Sequence, residues 1–353
     1  MRLGELRGAG RVIVLLEPVR PAGFQSGGYR YQAEVMAPRI ADDEGVLRAV
    51  APARLADEVA QLRRQWPGAC FVVDGLFATT TVLPAGTIAL LHTVPEVDLW
   101  SAAALPVITT AASTAASDRV RARASEIVVV PPGLDDCFCP RTTGGTRRPG
   151  VPRITCVGAL GPGKGQSSLW SALASAPVPS ELTLLGAGTR EFAPPPGGSA
   201  VTLHRRGVLP PTGVAEVLHD SDLCVSWSRS ESFGMAVAEA VACATPVLAF
   251  ATGAIGSFVQ SGVNGWLLPP DADDAAMTAA LHALLLAPER LMRAHAAARP
   301  VRLPSWSQVA ADFATACRRL AERTDRSAAP ESGDRRPDAA SPAASPGDER
   351  VDR

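Results

Sequence analysis

The chain has 353 residues, of which 46% are hydrophobic and 20% charged, with a formal net charge of −1. That length suits two domains of ordinary size, and the balanced charge offers no basic footprint, which argues against nucleic acid as a partner. No apolar run is long enough to cross a bilayer and no signal-peptide core stands at the N-terminus, so the expected setting is cytoplasmic, with peripheral membrane contact left open.

In chain order, Arg11-Val-Ile-Val-Leu-Leu16 predicts a buried strand. It is followed by Ser26-Gly27-Gly28-Tyr29-Arg30. Paired glycines let backbone amides approach a phosphate, although Gly-Gly is also an ordinary turn. Helical spacing runs from Pro52 to Trp66, Cys70-Phe-Val-Val is a second strand ending at Asp74, and Thr87-Ile-Ala-Leu-Leu is a third ending at His92. Asp74 reads as a cleft residue or as a loop cap, and His92 as a packing residue or a functional one. Val107-Ile-Thr-Thr and Ile127-Val-Val-Val add two strands around a helix at Ala112 to Arg123. Pro140 to Pro152, rich in Gly, Pro, Thr and Arg, reads as an interdomain linker.

The alternation then starts afresh with Arg153-Ile-Thr-Cys-Val and Gly158-Ala-Leu-Gly-Pro-Gly-Lys164-Gly165. This loop comes within one residue of a phosphate-binding P-loop, but Gly165 stands where a nucleoside triphosphatase needs a hydroxyl on its magnesium ion. Lys164 reads as a phosphate ligand or as a solvated loop lysine. Strands follow at Glu181-Leu-Thr-Leu-Leu and at Val201 to His204. Gly186-Ala-Gly188 lacks the third glycine of a dinucleotide fingerprint, since position 191 is Glu.

Asp222-Leu-Cys-Val-Ser-Trp-Ser is a short buried strand, and Thr245-Pro-Val-Leu-Ala-Phe is the next. Between them lies Arg229-Ser-Glu-Ser-Phe-Gly-Met-Ala-Val-Ala-Glu-Ala240, which places Glu231 and Glu239 eight positions apart across the start of an Ala-rich helix. Gly234 permits the tight entry, and the free first-turn amides make a seat for an anion. Carboxylates on either side of such a seat accept hydrogen bonds from hydroxyls, so a diphosphate with a ribose at one end and a sugar at the other fits. Two solvated acids on a helix fit the same spacing. In the strand, helix, strand unit, the helix N-terminus lies at the carboxyl edge of a parallel sheet, where open α/β sheets bind ligands.

Asp271-Ala-Asp273-Asp274 imitates an Asp-x-Asp metal motif but directly precedes a helix at Asp273 to Leu286, where Asp serves as a cap; no metal site is expected. Ser305-Trp-Ser-Gln opens a further helix to about Arg323, capped by Ser305. From Thr324 the composition predicts a disordered tail. The seven cysteines, at positions 70, 137, 139, 156, 224, 243 and 317, read as reduced and mostly buried thiols.

The segment Glu231 to Glu239, with Gly253, Ile255 and Gly262-Val-Asn-Gly-Trp-Leu-Leu-Pro-Pro-Asp271, resembles the Glu-x7-Glu signature region of family 4 glycosyltransferases. The resemblance implies an α/β chain of the GT-B fold, with two Rossmann-like domains whose parallel sheets face a central cleft. Its units are an acceptor-side domain at 1–145, a nucleotide-sugar domain at 153–304, a helix at 305–323 returning to the first domain, and the tail at 324–353. It implies retaining, metal-independent transfer from a nucleotide sugar, used as co-substrate with no cofactor, to a small-molecule, glycan or lipid acceptor.

By the same resemblance Glu239 takes the ribose and Glu231 the transferred sugar. Lys164, Gly27, Gly28 and the amides at Phe233, Gly234 and Met235 hold the diphosphate; His92 faces the sugar, and Val208 and Leu209 contact the base. With Lys164, Glu231 and His92 are the implied catalytic residues. The pattern departs at Ala159, where the family has an arginine on the diphosphate. Arg30, Arg205 and Arg229 are the candidate replacements, with Arg30 preferred. A non-catalytic GT-B subunit and a sugar-nucleotide epimerase of the same fold are the alternatives; a P-loop ATPase is the weakest.

Overall fold

The computed structural model describes residues 12–20, 26–94, 104–141, 150–196, 200–297 and 303–328. Among them are two six-stranded parallel sheets, one in each half of the chain.

The first half runs through β1 (Ile13–Pro18), α1 (Gly27–Ala41), β2 (Gly45–Val50), α2 (Leu55–Gln65), β3 (Cys70–Asp74), β4 (Ile88–Leu91), β5 (Leu105–Thr109), α3 (Ala112–Ala116), α4 (Asp118–Arg121) and β6 (Ala124–Val129). The sheet order is β2-β1-β3-β4-β5-β6. β1, β3, β4 and β5 are largely apolar runs such as Cys-Phe-Val-Val, as strands covered on both faces must be, with polar residues only near the carboxyl ends: Glu17 in β1, Asp74 in β3 and Thr109 in β5.

α1 and β2 are not legible in the local sequence pattern. α1 contains Gly27, Gly28 and Pro38, all poor helix formers, and it buries Tyr29, Tyr31, Gln32, Val35 and Met36, so no single apolar stripe marks it. What holds it is tertiary contact: Tyr31, Val35 and Met36 pack with β1, β3 and the helix Trp306–Ala328. The helix expected at Ala112 to Arg123 is two short helices, separated at Ser117, which has extended backbone.

The second half runs through β7 (Arg153–Val157), α5 (Gln166–Ala174), β8 (Ser180–Leu185), β9 (Val201–Gly207), α6 (Pro211–Asp220), β10 (Leu223–Ser226), α7 (Met235–Ala242), β11 (Val247–Phe250), β12 (Gly265–Leu268), α8 (Asp274–Leu285) and α9 (Pro288–Ala297). Its sheet order is β12-β11-β10-β7-β8-β9. β7 and β10 are neighbours, and the chain leaves β7 towards β8 on one side and β10 towards β11 on the other. A crevice therefore opens above the carboxyl ends of this pair, the switch point where such sheets bind ligands.

α10 (Trp306–Ala328) is the last element among the described residues and packs on the first sheet. Val309, Phe313, Cys317 and Leu320, at helical spacing, join Tyr31, Val35, Cys70 and Val72 in one core. Ser305 caps the helix, accepting from the Gln308 amide at 3.3 Å. Helix continues to Ala328, five residues beyond the Arg323 end expected from sequence. The rest of the expected tail, 329–353, and the linker residues 142–149 lie outside the described residues.

Candidate functional site

The switch-point crevice is built by two loops. The first, Gly158 to Gly165, leaves β7 and is tied down by Gln166, which is buried and donates to the Ala159 carbonyl at 3.0 Å. The second, Trp227 to Gly234, leaves β10. Ser228 joins the two loops by donating to the Gly163 carbonyl at 3.2 Å. Across this junction Lys164 Nζ donates to Glu231 Oε1.

Gly234 enters α7 at φ +88°, and a Cβ there would stand 2.5 Å from Ile255 Cγ1, so backbone and packing both require glycine. Phe233, which is buried against Phe258, fixes the loop from below. The first intrahelical bond runs from the Ala238 amide to the Gly234 carbonyl at 3.0 Å, which leaves the amides at Met235 to Val237 without helical acceptors. One turn inside stands Glu239, 6% exposed. Burial is the largest cause that pushes its carboxyl up to about 7; Asp135 adds to the rise and Arg30 opposes it.

The other wall is the N-terminus of α1. Gly27 and Gly28 are its first two residues, capped by Ser26, rather than members of a loop. A Cβ on Gly27 would lie 3.7 Å from Met235, and one on Gly28 2.8 Å from the His92 ring. Two helix N-termini, those of α1 and α7, thus meet across the cleft, and each presents free amides and the positive end of its dipole.

Arg30 extends from α1 into this gap. Its Nη1 donates to Glu239 Oε1 at 3.1 Å, its Nη2 pairs with Asp135, and its Nε lies 3.9 Å from Glu34. Trp306 lies under its guanidinium at 5.5 Å. The preferred replacement for the missing arginine is therefore clamped among carboxylates beside the expected ribose position. Arg229 is held by Asp274 and by the Ala272 carbonyl over the Phe250 ring, and Arg205 donates to the Phe192 carbonyl at 2.9 Å. All three guanidiniums have other partners in this structure, and Lys164 is the cation at the junction itself.

At the carboxyl end of the first sheet, His92 is bracketed by Gln32 Nε2, 3.3 Å from Nε2, and Thr110 Oγ1, 3.5 Å from Nδ1. Burial lowers its pKa to about 4, so the ring is neutral at pH 7. With the Gln32 amide nitrogen as donor, Nε2 accepts and Nδ1 carries the proton. Asp74 is buried, accepts from the Leu76 amide at 2.8 Å and from Gln32, and is pushed up to about 6 by burial.

Val208 is exposed and Leu209 half-buried just beyond β9, on the rim that also carries the Gly158 loop. Asp273 caps α8 by accepting from the Ala276 amide at 2.8 Å, and Asp274 accepts from Trp227 Nε1 at 3.0 Å and from Arg229. These aspartates therefore have structural partners. Gly165 sits at φ +67°, and a Cβ there would stand 2.8 Å from Trp227; the position excludes the hydroxyl residue of a P-loop. Asp135, Gln32, Gln166 and Ser228 escaped the sequence reading, because their partners lie between 2 and 105 positions away and no local pattern marks them.

Residues 151–286 match the family model described as Glycosyl transferases group 1. A D-inositol 3-phosphate glycosyltransferase of Segniliparus rotundus is 34% identical over 184 residues, which is 47% of this chain and 40% of that protein. The chain thus spans about two fifths of that relative's length. Among solved structures, the sucrose-phosphate synthase of Thermosynechococcus elongatus aligns with a TM-score of 0.62 at 18% identity, over 89% of this chain and 100% of that one. Anabaena HepE, solved with UDP and glucose, aligns with a TM-score of 0.58 at 16% identity, over 90% and 100%.

Proposed function

From the match of residues 151–286 to the group 1 glycosyl transferases, on a chain with the GT-B fold, we propose transfer of a sugar from a nucleotide-diphosphate sugar to an acceptor hydroxyl, with retention of configuration and without a metal ion. The observation that carries this reading is the meeting of Lys164, Glu231 and the N-terminus of α7 at the β7/β10 switch point, opposite the N-terminus of α1.

The diphosphate takes the α7 amides and Lys164, with the amides of Gly27 and Gly28 on its far side. Lys164, held by Glu231 in the free protein, turns to the phosphate as Glu231 engages the sugar hydroxyls. Glu239 receives the ribose, and the backbone at Val208 and Leu209 the base. Rate comes from stabilising the diphosphate as it departs, since negative charge grows there while the glycosidic bond breaks. A neutral His92 near this junction adds no positive charge to the sugar face.

UDP-sugars are the first donors to test, because HepE was solved with UDP and glucose. Release of UDP from a panel of UDP-sugars, with and without chelator, tests the reading: turnover that survives chelation supports it, and failure of every nucleotide sugar to bind overturns it. A second reading, a donor-binding subunit without turnover, is favoured by Ala159 and by the engagement of Arg205 and Arg229 elsewhere. Donor binding with no release of UDP in the presence of acceptors would select it.

A further inference from the structure

A second polar cluster lies on the first-domain side of the cleft, at the carboxyl ends of β1, β3, β4 and β5 and beneath the first turns of α1. It comprises Glu17, Gln32, Asp74, His92 and Thr110. Glu17 is 4% exposed, Gln32 0% and Asp74 1%, so this is a buried polar group rather than a solvated rim.

Gln32 Nε2 bridges Asp74 and His92, and Thr110 completes the ring. Two oxygens are left without a partner, Glu17 Oε2 and Gln32 Oε1. Buried polar atoms are nearly always satisfied, and an orphan costs its desolvation. Both orphans are acceptors, so the group that completes them must bring O–H or N–H donors.

The charge of this edge is one-sided. Glu17 and Asp74 repel one another, which contributes to the raised pKa of Glu17 after the larger effect of burial. Among the described residues of the connections that leave β1, β3, β4 and β5, the one cation is Arg20. It lies 3.8 Å from Glu17 and is half-exposed over the Tyr29 ring. The connection 75–87 carries no charged residue. Nearby Arg30 and Lys164 are held by Glu239, Asp135 and Glu231. Exposed Val19 and Leu76 flank the cluster and give it an apolar border.

Resting on the donor reading above, we propose that this cluster is the acceptor subsite and that it selects a hydroxyl-rich acceptor that is neutral or carries an amine, while rejecting a phosphorylated one. Hydroxyl or ammonium hydrogens complete Glu17 Oε2 and Gln32 Oε1. A phosphate brings acceptors only and meets two carboxylates across a low-dielectric wall, where like charges repel most strongly. This acceptor class differs from the phosphorylated cyclitol in the name of the Segniliparus relative.

The test titrates the whole protein, saturated with UDP, with a matched set of probes: glucose, glucosamine and glucose 6-phosphate. Glucose and glucosamine are expected to bind at least about tenfold more tightly than glucose 6-phosphate, and Glu17→Gln is expected to shrink the glucosamine advantage by about the same factor. Equal or tighter binding of glucose 6-phosphate, or no binding of any probe at about 10 mM, overturns the proposal. The wild-type comparison decides even if the variant fails to fold. If UDP itself does not bind, the donor reading fails, and the same titration without UDP judges the acceptor subsite by its charge order alone.

Discussion

Arg30 on α1 and Glu239 on α7 form an ion pair of 3.1 Å across the interdomain cleft, and Asp135 shares the same guanidinium. The pair joins the two walls at the proposed ribose position, so under the proposed function nucleotide binding and domain contact compete for one carboxylate.

A pH dependence of donor binding follows. The Glu239 carboxyl, pushed up to about 7, loses an acceptor oxygen when protonated. UDP affinity is therefore expected to rise with pH through about 7 and level off above it. Arg30→Met removes the partner that lowers this pKa and is expected to move the midpoint upward by about one unit or more. Calorimetric titration from pH 5.5 to 9 reads it; a midpoint that stays put in the variant refutes the link, and Glu239→Gln should flatten the curve.

Lys164 carries the diphosphate in this scheme without help from an arginine at position 159. Lys164→Ala is expected to weaken UDP binding and turnover by about a hundredfold or more, with far-ultraviolet circular dichroism unchanged. Conversely, Ala159→Arg supplies a forked donor and is expected to tighten UDP binding about tenfold, or ~1.4 kcal/mol. An unchanged Kd in both variants places the diphosphate elsewhere.

Gly165 separates this loop from a nucleotide-triphosphatase loop. Gly165→Ser imposes a side chain on a left-handed backbone and drives Cβ against Trp227. The expected cost is about 2 kcal/mol or more of unfolding free energy, without any gain of ATP binding. Urea denaturation measures the first and ATP titration the second.

Asp74 sets a pH window for stability. Its folded pKa of about 6 lies above the unfolded value of about 3.9, so the folded state holds the extra proton between them and stability falls as pH rises through that interval. Asp74→Asn removes this loss. Relative to wild type, the variant is expected to gain up to about 3 kcal/mol on going from pH 4 to pH 8, a shift that thermal melts across the range would reveal.

The sequence by itself determined the alternation of apolar strands and helices, the twofold restart near Arg153 and the position of Glu231 and Glu239 around one helix entry. Each is written in local pattern: strand hydrophobicity, loop glycines and an eight-residue spacing within a single strand, helix, strand unit. Tertiary structure alone decided the rest. α1 is a helix despite Gly27, Gly28 and Pro38 because the first sheet and α10 cover it. Arg30 finds Glu239 at 209 positions' distance and Asp135 at 105, and Arg229 is drawn to Asp274 instead of the cleft. The orphan oxygens of Glu17 and Gln32 exist only once four strand ends converge under α1. A charge's partner depends on which surfaces the folded chain brings within a few ångströms, and local sequence pattern contains no term for that.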